Sequence, residues 1–144
     1  SIVEDTKNEN YEQSLRNTYK FVTDEISYVD AELSLNYWMS AREIMEIKTA
    51  DDEDLSVFLC ACMKALGDDK AEVIIAELDN LQTHAFVSTE IEDKFLILDA
   101  PQKDEFDKYF GKKTDILSNY TFKGSKIKRF LYRFNSEKYE QFLE

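Results

Sequence analysis

Leu55, Phe58, Leu59, Cys62, Met63 and Leu66 recur at the three- and four-residue spacing of a helix. The stripe lies between an acidic run, Asp51-Asp52-Glu53-Asp54, and Gly67, which suits the left-handed residue after a helix end. After Gly67 the apolar period shifts toward two. Val73-Ile74-Ile75, His84 to Ile91 and Phe95-Leu96-Ile97-Leu98 read as strands, with Glu92-Asp93 as a hairpin turn. A helix with one greasy stripe must bury it against something, and the following strands supply the sheet. The expected class is α+β, with N-terminal helices and a central buried helix packed on a mostly antiparallel sheet.

The rest of the chain fits around that pair. Tyr11, Leu15, Tyr19, Val22 and Ile26 predict a first amphipathic helix over residues 9–26. An irregular stretch over 28–37 follows, then Ser40 with Glu43 as a capping box for a two-turn helix through Lys48. In the central helix Val57, Ala61 and Ala65 are expected to widen the buried stripe. A helix is predicted over 104–110, continued over 114–120. Ile127 to Phe134 reads as a fourth strand with Phe130, Tyr132 and Phe134 on one face, and Ser136 as the cap of a terminal helix.

The chain has 144 residues, 43% of them hydrophobic and 13% aromatic, enough for one domain, 1–144, with its own core. Its formal charge is −12, from 18 basic and 30 acidic side chains, a field that repels phosphate backbones and anionic membranes. Neither nucleic acid nor a membrane is an expected partner. The segment Lys123 to Arg133 is basic with interleaved aromatics, and it reads as a strand whose charges blunt an edge and balance the acidic remainder. Cys60 and Cys62 sit two apart on one helix, about 200° around it, so they cannot bridge each other and read as packing residues. With no disulfide framework and no apolar leader in Ser1-Ile2-Val3-Glu4-Asp5, the expected location is cytoplasmic.

One end of the central helix carries more than packing. Extending the Leu55–Leu59 stripe one step back reaches Asp51 and Asp52, so an acid stands at the inward end of an apolar face. The order of acidic helix start, a His84-Ala85-Phe86-Val87 strand and a strand ending Leu98-Asp99-Ala100-Pro101 resembles the transglutaminase-like branch of the papain-like cysteine enzymes. Trp38-Met39-Ser40-Ala41-Arg42-Glu43 is similar to that family's lead-in, and the resemblance runs over residues 37–101. It implies a site in which His84 matches the family histidine, Asp99 the orienting acid and Asp54 the second acid of a Cys-Glu-Asp stretch. Asp52 falls at the nucleophile. Trp38, Asp51, Asp54 and Phe86 would line the cleft.

Thiol acyl transfer needs a sulfur at that corner, a neutral imidazole as base and a carboxylate to orient it. Cys60 lies about 12 Å along the helix from Asp52 and cannot substitute. A histidine between two carboxylates is held as imidazolium and cannot act as a base. The resemblance therefore implies an inactive relative that binds a peptide or protein segment, with no cofactor and no metal. The alternative is a hydrolase or acyl-transferase that uses Asp52 or a bound metal with His84 and Asp99. Taken singly, the acids could be helix-dipole residues, His84 a strand histidine and Asp99 a turn residue before Pro101.

Overall fold

The computed structural model describes residues 10–25, 27–28, 49–50 and 52–142. The expected helix ending at Lys48 and residues 29–37 of the irregular stretch before it lie outside the described residues, while Tyr28 ends a short strand. Helix α1 spans Tyr11–Glu25 and buries Ser14, Leu15, Thr18, Tyr19 and Val22 on one face. Its first turn is capped by Asn10, whose side chain accepts from the Gln13 amide at 3.2 Å. A short parallel pair, β1 (Ser27–Tyr28) and β2 (Thr49–Ala50), precedes the central helix α2, Asp52–Ala65.

Helix α2 buries Leu55, Phe58, Leu59, Cys62 and Met63 of the predicted stripe, with Leu59 and Met63 fully enclosed, while Leu66 lies past its last residue and is half-buried. Its buried arc widens toward Ser56 and Cys60; of the residues expected to widen it, Val57 packs half-buried against the same core, whereas Ala61 and Ala65 are exposed. The helix ends as Gly67 foretold. The Gly67 amide donates to Lys64 O at 2.9 Å and the Asp68 amide to Met63 O at 3.0 Å, the paired bonds of a Schellman end, with Gly67 at φ +99°.

Strands β3 (Glu72–Leu78), β4 (Thr83–Ile91) and β5 (Lys94–Leu98) follow, then β6 (Phe110–Gly111), helix α3 (Lys113–Asn119), β7 (Thr121–Phe122), β8 (Ser125–Phe134) and β9 (Tyr139–Gln141). The larger sheet has the order β6-β5-β4-β3-β8-β7, with β9 also on β8, and its pairs are antiparallel. Glu92 and Asp93 both take positive φ, the two-residue turn of a tight hairpin.

Both faces of this sheet are covered, which explains the unbroken apolar run of β5. Val73, Ala85, Val87, Leu96 and Leu98 pack against α1 and α2. Ile74, Ala76, Phe86, Phe95 and Ile97 pack on the other side with Tyr109, Ile116 and Tyr120. Helices on an antiparallel sheet make this the expected α+β class. No described helix is long and apolar enough to cross a membrane.

Three expectations are corrected. Residues 104–110 are not helical. After a single 3-10 turn, Ala100–Gln102, the chain turns and returns to the sheet, where Ile97 N donates to Tyr109 O at 2.9 Å. Phe106 and Tyr109 mimic helical spacing because they anchor this return in opposite cores. Ser136 caps no helix. Asn135 accepts from the Glu137 and Lys138 amides and closes a turn that lays β9 on β8. Finally, Phe130 does not share a face with Phe134. Ile75 pairs with Tyr132 but Ala76 with Phe130, and the bulge at Leu131 reverses the alternation.

Candidate functional site

Three element ends meet at one point. Asp52 is the first residue of α2, His84 is the second of β4, and Asp99 follows the last residue of β5. Antiparallel pairing of β4 and β5 fixes the latter two relative to each other, and packing of α2 on the first core brings the helix head to them.

The imidazole of His84 lies between the two acids. Its Nδ1 is 2.9 Å from Asp52 Oδ2 and its Nε2 is 2.8 Å from Asp99 Oδ2. Ionised carboxylates only accept, so both ring nitrogens carry protons. The Asp52 carboxylate also accepts from the Ala85 amide at 3.2 Å and the Glu53 amide at 3.0 Å. Asp99 is fully buried and accepts from Gln102 Nε2 at 2.8 Å and from the Tyr120 hydroxyl, itself fully buried. Phe122 stacks on the imidazole with ring centres 3.6 Å apart and planes 14° apart. The two-residue turn Lys123-Gly124, both at positive φ, sets Phe122 in that position.

The electrostatics follow from this enclosure. Burial pulls the His84 imidazole down, but hydrogen bonds and charge from Asp52 and Asp99 outweigh it and hold the group up at about 9. Burial pushes the Asp52 carboxyl up, yet the bond and charge of His84, with the two amides, leave it below its ordinary value. Burial raises the Tyr120 phenol, and the adjacent Asp99 charge raises it further, so it stays a donor. His84 is 2% exposed and Asp99 0%, whereas the Asp52 side chain keeps 25% of its surface.

The expected cleft residues fare differently. Trp38 and Asp51 lie outside the described residues. Asp54 is buried, and none of the described hydrogen bonds of His84 involves it. Phe86 is not a cleft wall. It is fully buried in the second core, and its ring packs on Tyr120, 4.9 Å between centres, because its position on β4 faces α3. Tyr120, Gln102 and Phe122 went unrecognised in the sequence, where Tyr120 reads as a packing aromatic. Cys60 and Cys62 are buried free thiols in the first core, pushed up by burial to about 12 and about 11.

Among the described residues no group of three histidine, cysteine or acidic side chains is arranged to hold a metal ion. At the triad itself both imidazole nitrogens already face carboxylates, so neither presents a lone pair to a cation.

The chain belongs to the transglutaminase-like domain family, whose description matches residues 1–126. Among solved structures, LapG of Legionella pneumophila is similar with a TM-score of 0.71 at 21% identity, covering 97% of this chain and 74% of that one. A calcium-bound form of LapG gives 0.70 at 20% over 97% and 74%. A TGase gives 0.55 at 15% over 86% of this chain and 36% of the other. At these identities the likeness is one of fold. No curated protein sequence matches the chain.

Proposed function

We propose that this chain is a catalytically inactive transglutaminase-like domain that binds a peptide or protein segment, and that Asp52 stands where a catalytic relative carries its cysteine. One observation carries this reading: both nitrogens of His84 are occupied by carboxylates. With the imidazole held at about 9, only about 1% of it is neutral at pH 7. A group so protonated cannot take the proton of a nucleophile, and the head of α2 offers an oxygen acid rather than a sulfur. The trio keeps the charge pattern of a thiolate–imidazolium pair without its reactivity. Asp52, the member left partly open, is the point at which a bound segment would meet the site.

A hydrolase using Asp52 as nucleophile is less well supported. A carboxylate is a weak attacker of amides, and this one is already bonded to two backbone amides and to the imidazole. The test is to assay peptide hydrolysis and amine incorporation between pH 5 and 9, in the chain and in Asp52→Ala. No turnover is expected in either. Turnover that vanishes in Asp52→Ala would overturn the proposal. Asp52→Cys should create a thiol that alkylates near neutral pH, while Cys60 and Cys62 stay unlabelled in the folded state.

A further inference from the structure

Aromatic rings in this chain meet in one way, with one exception. Phe86–Tyr120, Phe106–Phe110 and Phe130–Phe142 pack tilted or edge-on, with centres 4.9, 5.9 and 6.2 Å apart. Neutral rings prefer such arrangements, or a lateral offset, because each has a negative face and a positive edge. Among the described ring pairs, His84 and Phe122 depart from this. Their planes are 14° apart and their centres only 3.6 Å. Carbon atoms in contact already stand about 3.5 Å apart, so almost none of that separation is left for offset. Two neutral rings avoid a centred sandwich, whereas a cation over a ring face favours it.

The backbone is committed to this contact. Phe122 pairs with Ser125 across the β7–β8 hairpin, and the turn between them sets Lys123 at φ +50° and Gly124 at φ +83°. A lysine in the left-handed region is strained, so the turn is not the cheapest for these residues. Phe122 is half-buried and rests on the rim of the second core. In the plane of the imidazole both nitrogens are taken by Asp52 and Asp99. A ring face is therefore the route left by which a neighbour acts on its charge.

We propose that Phe122 is a positioning residue for the charged form of His84: its ring holds the imidazolium flat between the two carboxylates and stabilises the charge. The proposal does not depend on the function assigned to the trio. Other groups act on the same charge. Asp52 from α2 and Asp99 after β5 favour it, and Asp104, beyond the 3-10 turn, couples to it. Lys123 opposes it, with its ammonium 5.2 Å from the centre of the Phe122 ring. Tyr120 and Gln102 reach it through Asp99 as neutral donors. Substitution at Phe122 leaves all of these in the sequence, so a series there isolates the ring.

The test is the NMR titration of His84, the sole histidine, in the native chain, Phe122→Leu, Phe122→Tyr, Phe122→Trp and Phe130→Leu. Leucine keeps apolar cover but has no ring face, tyrosine keeps one, and tryptophan has the strongest. Phe122→Leu is expected to lower the midpoint by about half a unit to one unit. Phe122→Tyr should restore the native midpoint, and Phe122→Trp should hold it there or raise it. Phe130 also lies on the rim of the second core, and its described ring contacts are Phe86 and Phe142. Phe130→Leu should therefore leave the midpoint in place, which separates the ring's action on His84 from packing. An unchanged midpoint in Phe122→Leu, an equal fall in Phe130→Leu, or a fall in Phe122→Tyr or Phe122→Trp would overturn the proposal. The last two keep it open to refutation even where Phe122→Leu fails to fold.

Discussion

His84 is the sole histidine of the chain, so its protonation can be followed without assignment ambiguity. Its pKa rises from 6.5 to about 9 in the folded protein. A displacement of that size corresponds to about 3 kcal/mol of differential stabilisation of the protonated form. Because the folded value lies above the unfolded one, this stability is fully present below pH 6.5 and is lost as pH rises through about 9. Asp52 has the opposite sign. Its folded pKa is below the ordinary 3.8, so its share is present above that value and is lost as pH falls below it. Both displacements describe one ion pair and are counted once. The trio is therefore most stabilising between about pH 4 and 6.5. Urea denaturation at pH 6 and pH 9 should show the loss of about 3 kcal/mol, while nitrogen-detected NMR should place the imidazole near 9. Asp52→Ala removes one of the two anions, so the pH slope should fall by about half and the imidazole should move down. An imidazole titrating at or below 6.5 in the native chain, or an unaltered slope in Asp52→Ala, would refute the reasoning.

Two further changes probe the scaffold that holds α2. Gly67→Ala should cost about 1 kcal/mol in urea denaturation, from backbone strain at φ +99° alone, since nothing lies within 4 Å of the added methyl. Asp68 is a buried carboxylate that accepts from Tyr11 Oη and Thr89 Oγ1, both at 2.6 Å, and from the Lys70 amide at 2.9 Å. Asp68→Asn should cost about 2 kcal/mol by the same measurement, because an amide nitrogen in that position meets donors instead of accepting from them.

How far the fold could be read follows from where periodicity speaks. The α2 stripe, the Gly67 end and the β4–β5 hairpin are local patterns, and each formed within one or two residues of expectation. Periodicity misled wherever one segment serves both faces of the sheet. Phe106 and Tyr109 enter opposite cores, so their three-residue spacing imitates a helix. On β8 a single extra residue, Leu131, moves Phe130 to the far side of the sheet from Tyr132, and nothing in an alternating sequence marks a bulge. The turn closed by Asn135 was equally invisible, because a capping serine and a turn serine look alike.

At the site, the acids and the histidine could be placed because each ends or begins an element whose order is itself a signature. Gln102, Tyr120 and Phe122 could not, since only the return of the chain through α3 brings the latter two back to Asp99 and His84. Those residues explain how so much charge survives burial. Two carboxylates and one imidazolium leave one negative charge in excess. Asp99 spreads its share over the Tyr120 hydroxyl and the Gln102 amide. Asp52 faces the positive end of the α2 dipole and accepts from two backbone amides. A cysteine thiolate at the same helix head would draw on the same dipole and the same imidazolium. An aspartate at that helix head is therefore held by the same dipole and the same imidazolium that would hold a thiolate, which is the physical basis of the function proposed for this site.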